Sequence, residues 1–414
     1  MDDTTCVIAG GGPAGAVLAL LLARSGVEVT LLEKHADFLR DFRGDTIHPS
    51  TLQVLDELGL AEEFHRLPHH KTHSMSFQTD EGGIPIADLR RLPGKYHYIA
   101  FVPQWEFLDL ITTAAKRYPS FRLIMRAEVT DVIREGGVVR GVRYRDAGGR
   151  EHEIRAKLTV GADGRGSDVR RAVGLIPHEF GAPMDVVWFR LPLREGDPEE
   201  SFLRAAAGHF MACIRRESHW QLAYLIEKGG FERFKASGIE HFRANVARLL
   251  PMVAERMSEI RDFGDVSVLV VALNRLKRWH LPGLLFIGDA AHAMSPVFGV
   301  GINLAIQDAV AAANLLAGSL RSGADIPDST LALVQKRREF PTRVTQFAQR
   351  VAQRRLIRPA LKGGQGRRPL PRLVTTTPVA RLLAPRFIGF GIRPEHVRLA
   401  PVVRPRDVTA GDDG

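Results

Sequence analysis

The sequence predicts an α/β protein built on two sheets, and three observations carry that reading. Residues 4–33 run strand, glycine turn, apolar helix, strand. Two later glycine–aspartate turns, at 161–164 and 288–289, each follow a strand-like run. Between them the stretch Pro183 to Val271 is rich in β-forming residues and has no such glycine fingerprint, which marks a second sheet layered on the first.

Taken in order, Val7-Ile8-Ala9 forms a buried strand and Ala14–Ser25 an apolar helix that Gly26 ends, with a second strand at Val29–Leu32. A helix is expected from Ser50, as its cap, to Leu58, stopped by Gly59. Trp105–Lys116 reads as helix, followed by short strands around Glu128–Val132 and Val138–Val142 between paired glycines. The second sheet takes Val186–Phe189 and Trp220–Leu225, a strand pair near Met75–Phe77 and Tyr98, and one helical insert at Ile239–Met257. After Leu284–Ile287 a glycine-rich turn opens a long helix from Asn303, its N-cap, to Leu320, and the tail beyond Phe340 is helical and then broken by prolines.

The chain has 414 residues, 57 basic and 47 acidic, for a formal charge of +10. With 45% apolar residues it is neither disordered, collagen-like nor a disulfide-stapled miniprotein. Cys6 and Cys213 suit small buried hydrophobes better than a disulfide framework or a metal cluster. The chain opens directly on a strand, and its longest apolar run, Ala14–Ala23, is too short to span a bilayer, so a soluble cytoplasmic protein with no integral membrane segment is expected. From Arg354 onward 13 Lys and Arg face 4 Asp and Glu. No nucleic-acid motif accompanies them, so this tail is expected to be a solvated extension wrapped on the body. His69, His70 and His73 lack a ligand-type spacing and read as a loop cluster, with no metal.

Gly10-Gly11-Gly12-Pro13-Ala14-Gly15 satisfies the dinucleotide fingerprint, with a strand before it and a helix after it. Gly10 permits the tight turn, Gly12 lets backbone approach a pyrophosphate, and Gly15 lets helix pack on strand. Pro13 and Ala14 open a helix whose first N–H groups face the phosphates. Glu33, ending the second strand, is placed to accept from both ribose hydroxyls, which disfavours a phosphorylated ribose and hence NADP at this site.

The two remaining turns, Gly161-Ala162-Asp163-Gly164-Arg165 through Arg170 and Gly288-Asp289-Ala290-Ala291-His292, lie in a chain that resembles the single-component FAD-dependent aromatic hydroxylases of the para-hydroxybenzoate hydroxylase type, from Thr4 to about Leu320. The resemblance implies a doubly wound FAD-binding Rossmann domain of the glutathione reductase type at 1–72, 99–182 and 272–340. It also implies an inserted mixed or antiparallel substrate sheet at 73–98 and 183–271, and a helical, basic, proline-containing C-terminal extension at 341–414. It implies FAD as cofactor, NADPH or NADH as electron donor and O2 as co-substrate. A flavin C4a-hydroperoxide would hydroxylate an aromatic, phenolic or polyketide-like small molecule, in a monomer or homodimer. Asp163 would lie near the FAD pyrophosphate and the nicotinamide donor, and Asp289 would bind the ribityl chain. Pro296, Gly299, Gly301, Ile302 and Asn303 form the flavin-proximal turn and helix start, whose positive end would favour the reduced flavin. Arg43 matches a phosphate-binding arginine, Gln104 a polar cofactor contact, and Val129 an adenine contact. His48 is the candidate acid/base, since some members have a histidine there. Ser295-Pro296 departs from the two prolines of many relatives, at the substrate wall.

Strand alternation nominates Phe189, His209, Met211, Cys213, Gln221 and Ala223 for the substrate pocket. A halogenase is disfavoured because Trp188 and Trp220 stand alone, outside that family's tryptophan signature. Two other readings stay open: a prenyl-chain or double-bond reductase of the same superfamily, and a non-catalytic FAD-binding protein acting through its basic tail.

Overall fold

The computed structural model describes residues 2–39, 46–79, 82–206, 208–362, 378–399 and 401–402. Its main sheet has the strand order His280–Leu281, Leu284–Phe286, Glu151–Gly161, Asp2–Ala9, Val29–Glu33, Phe121–Met125, with the inner pairs parallel. Ile8 lies opposite Leu31 on one side and Val160 on the other. Such doubly flanked strands are apolar throughout because both faces are covered. The helices Pro13–Arg24, Gln104–Lys116 and Gly301–Arg321 pack on one face. The antiparallel strands Glu128–Glu135 and Val138–Arg145, with the short helix Asp168–Ala172, close the other face. Winding onto the second face is therefore by a β-meander more than by crossover helices.

The second sheet runs Ser267–Leu269, Met184–Pro192, His219–Glu227, His209–Arg215, Phe202–Ala206, Ser74–Thr79, Gly82–Asp88. It is mixed, since Phe202–Ala206 and Ser74–Thr79 pair in parallel. Tyr98 lies outside it: the partner of Ser74–Thr79 is Gly82–Asp88, and Ile99–Phe101 joins a separate small sheet with Thr46–Ile47 and His70–Thr72. The helical insert is also shorter than its periodicity suggests. It runs Ile239–Leu249, and Pro251, which has no N–H to continue the ladder, turns the rest into a 3-10 segment, Pro251–Glu259.

Two helix starts differ from expectation. Pro49 takes the first position of the helix Pro49–Glu57, so His48 is the cap and Ser50 is buried inside. The long core helix begins at Gly301, capped by Val300, two residues before Asn303. This helix is apolar and long enough to cross a membrane, but 83% of its most apolar window is buried in the core.

The tail differs most. The helix Asp328–Ala352 runs into a π-turn at Gln353–Ile357. A further helix, Pro378–Gly389, leads into an extended run in which Glu395 is only 3% exposed. The described part of the tail lies on the body, and its inner side chains, among them Ile357, Ile388 and Glu395, are buried there.

Candidate cofactor and substrate site

A continuous cavity of about 1240 Å³ runs from the glycine turn to the inner face of the second sheet. At the turn, the three fingerprint glycines do three different jobs. Gly10 sits at φ 103°, and a Cβ there would fall 2.5 Å from the Ala162 carbonyl oxygen. A Cβ on Gly15 would fall 2.0 Å from the Gly10 carbonyl oxygen. Gly12 has nothing within 4 Å of its missing Cβ, which leaves an open cradle at the N-terminus of the helix Pro13–Arg24. Glu33 accepts from the Gly11 N–H at 2.9 Å and from the His35 N–H at 3.0 Å, so its buried carboxylate is held at the cavity wall.

Asp289 also lines the cavity, and its carboxylate accepts from Arg165 Nε at 3.0 Å. Asp163 lines the cavity as well, with its carboxylate accepting from the Ser167 hydroxyl and from the Val169 N–H, bracing the short helix, and burial raises its pKa. Arg170 donates to the Ala290 carbonyl at 2.8 Å and so ties the two turns together. Pro13, Ala14, Gln104, Val129, Pro296, Gly299, Gly301 and Ile302 all reach the same cavity. Gly15, Gly288 and Asn303 stand behind its wall, and Arg43 lies outside the described residues.

Asn303 is not the cap of its own helix. Its Oδ1 accepts from the His48 N–H at 3.0 Å and the Thr51 hydroxyl at 2.7 Å, while its Nδ2 donates to the Thr46 carbonyl. It pins the start of the neighbouring helix from across the interface, through the His48 N–H and the Thr51 hydroxyl. At the flavin-proximal turn, Phe298 (φ 71°) and Gly299 (φ 65°) are both left-handed, a strained non-glycine conformation at Phe298. A Cβ on Gly301 would meet nothing nearer than Met294 at 3.8 Å. These features fit an FAD: an open glycine cradle, a carboxylate at the strand end, a second carboxylate midway, and a bare helix start at the far end.

His48 is 1% exposed and lines the cavity. Its Nδ1–H donates to the Ile388 carbonyl at 2.6 Å, and its Nε2 has no hydrogen-bond partner among the described residues. Burial lowers its pKa to about 4, against the opposing pull of the Ile388 and Gly299 carbonyls, so the ring is neutral at pH 7.

On the second sheet, Met184, Val186, Phe210, Ala212, Gln221, Ala223 and Leu225 face the cavity. Of the six nominated positions, Gln221 and Ala223 are confirmed as lining it, and Cys213 touches it although its thiol is fully buried. Phe189 and Met211 pack instead among Phe242 and Val246 of the helix Ile239–Leu249. His209 is bonded to the Tyr224 hydroxyl on the same outer side. Register explains the error. Phe189 lies opposite Leu222, and Met211 opposite Tyr224, so these odd positions share a face with the even ones of the next strand.

Arg216 was missed. It is 7% exposed, donates through Nε to Gln221 Oε1 at 2.7 Å, and lies 5.3 Å from the Phe101 ring centroid. In the sequence it is one of two arginines at a strand end, and nothing local separates it from its half-buried neighbour Arg215. The tail supplies a wall as well, through Val351, Arg355, Leu356, Ile357 and Ile388. His69, His70 and His73 each spend a ring nitrogen on a backbone carbonyl.

Residues 3–348 match the profile of the FAD binding domain family. The chain belongs to that family. It is 34% identical over 401 residues to 6-methylpretetramide 4-monooxygenase of Streptomyces rimosus, covering 95% of this chain and 93% of that protein. PqsL, a probable FAD-dependent monooxygenase from Pseudomonas aeruginosa, shares the fold with a TM-score of 0.74 at 22% identity, over 87% of this chain and 99% of that one. OxyS anhydrotetracycline hydroxylase from Streptomyces rimosus does so at 0.74 and 24% identity, over 94% and 76%. The protein is a flavin-dependent monooxygenase with FAD as its cofactor.

Proposed function

We infer that this monooxygenase hydroxylates a phenolic or polyketide-type ring system, taking electrons from NADH or NADPH and oxygen from O2. The observation that carries the reading is the cavity itself. It continues from the glycine cradle onto a broad apolar sheet face, and the polar groups along it include His48, Gln221 and Arg216. The likeness to a 6-methylpretetramide 4-monooxygenase supports the polyketide class. The donors are cytoplasmic pools, which puts the reaction there, in a monomer or homodimer.

When bound, FAD supplies the redox chemistry, accepting the donor's electrons and activating O2 for transfer of one oxygen atom. The protein's residues supply the rest. Glu33 and the glycine turn orient one end of the cofactor, and Asp289 its middle. The apolar walls at Val186, Phe210 and Leu225 exclude water and strengthen each charge inside. Arg216, buried beside Phe101, favours an ionised phenol or enol oxygen on the substrate. His48, neutral and lining the cavity, takes the proton that such an oxygen loses.

The test is anaerobic mixing of the FAD-loaded enzyme with NADH and with NADPH across a panel of phenols and aromatic polyketides. A true substrate should accelerate flavin bleaching with one donor, and isotopically labelled O2 should appear in the product. Bleaching indifferent to the whole panel, or product oxygen drawn from water, removes this reading.

A further inference from the structure

We propose that the C-terminal segment 378–399 is a clasp that sets the tautomer of His48, with the Ile388 backbone carbonyl as the positioning group. This rests on the reading of His48 as the proton acceptor. A carbonyl oxygen can only accept, so at 2.6 Å it holds the proton on Nδ1 and leaves Nε2 as a lone pair on a ring that lines the cavity. Without that carbonyl the ring would be free to carry its proton on Nε2, where it could donate but not accept. A buried acceptor with no partner costs stability.

The segment is built to deliver that one carbonyl. It grips the helix Pro49–Glu57 at both ends. Ile388 meets His48 at the start, while His396 Nδ1 and the Val397 N–H reach the Glu57 carboxylate at 2.6 and 2.7 Å at the finish. Gly389 allows the close approach. A Cβ there would fall 2.6 Å from Leu92 Cδ1 and 3.4 Å from Pro49 Cγ, against the residue that follows His48. Phe387 packs edge-on against Phe298, the strained residue of the flavin-proximal turn.

The latch is ionic and centres on a buried carboxylate, Glu395. Arg337 forks onto Glu395 through Nε and a terminal nitrogen at 2.7 Å each. Arg338 lies 3.6 Å from the same carboxylate and donates to Asp308 at 3.0 Å. Asp308 in turn accepts from the Gly288 N–H and from His292. The clasp is thereby tied to the turn that carries Asp289. It lies beyond residue 348, where the match to the family profile ends.

The experiment reads the His48 ring directly, by long-range proton–nitrogen NMR correlation on the FAD-loaded full chain, with His48→Gln assigning the signals. Protonated Nδ1 and bare Nε2 are expected in the parent protein between pH 6 and pH 8. Gly389→Val, which pushes the carbonyl away, should move or average the tautomer and slow hydroxylation tenfold or more, with FAD content and donor-driven flavin reduction retained. Glu57→Gln, which releases only the far end, should act in the same direction with a smaller effect, and decides the matter should Gly389→Val not fold. An Nε2-protonated ring in the parent, or an unaltered tautomer in the folded variants, overturns the clasp. A shifted tautomer with unchanged hydroxylation leaves the clasp standing and removes His48 as the base instead.

Discussion

The two halves of the cavity are built by opposite means. The cofactor half is shaped by backbone: Gly10 and Gly15 are required because any Cβ would strike a carbonyl oxygen, 2.5 and 2.0 Å away respectively. The substrate half is shaped by side chains on a sheet, where Val186, Ala223 and Leu225 need only be apolar and of suitable size. A backbone-built site restricts residue type at set spacings. A side-chain-built site restricts only which face of a strand a residue occupies.

The sharpest attempt to break this contrast is Gly15→Val. It should yield a protein without bound flavin and with a disrupted first βα turn, seen as loss of the visible flavin spectrum. A yellow Gly15→Val protein would show that the cradle tolerates bulk as the sheet does.

His48 sits on the seam between the halves, and its burial makes stability depend on pH. Its folded pKa of about 4 lies below the ordinary 6.5. The unfolded chain therefore binds the extra proton first as pH falls. This contribution is complete above about pH 6.5 and is lost by up to about 3 kcal/mol on going down through pH 4. Denaturant melts from pH 4 to pH 7 should show a slope that flattens in His48→Gln. An equal slope in both proteins would mean that the ring is not buried as described.

Two substitutions ask whether the halves are separable. Asp289→Ala should weaken FAD by about 1.5–3 kcal/mol through loss of charge-assisted hydrogen bonds, read by flavin fluorescence titration. Arg216→Met should leave FAD affinity unchanged and raise the substrate KM by a similar free energy, about tenfold or more. If FAD affinity falls with Arg216→Met as KM rises, the halves are one coupled site. The smallest effect belongs to Met211→Leu, on the outer side of the sheet. It should cost less than about 1.5 kcal/mol in a thermal melt and leave KM alone. A changed KM would place Met211 on the cavity side and reverse the assignment of the sheet's faces.

Much of the cofactor half was legible before any fold was known. The spacing of Gly10, Gly12 and Gly15, the carboxylate at Glu33 and the turn at Gly288-Asp289 are local features, each answering to a neighbour within one turn or one strand. The errors have a common origin in non-local contacts. Asn303 has the chemistry of a cap, yet it spends its side chain on the His48 N–H and the Thr51 hydroxyl, at the start of a helix some 255 residues away in sequence. Phe189 and Met211 alternate as a pocket face should, yet register with the neighbouring strand turned them toward the helix Ile239–Leu249.

By itself, then, the sequence determined the βαβ core, the dinucleotide cradle and the membership that follows from three ordered motifs, because steric exclusion at a glycine is a property of the local chain. Only the tertiary structure decided which sheet face meets the cofactor, that Arg216 is buried beside Gln221, and that a basic, proline-rich tail returns to hold His48. Those outcomes depend on which distant surfaces are brought together. A side chain's burial, and with it its charge state and hydrogen-bond partners, is set by neighbours that no window of the sequence contains.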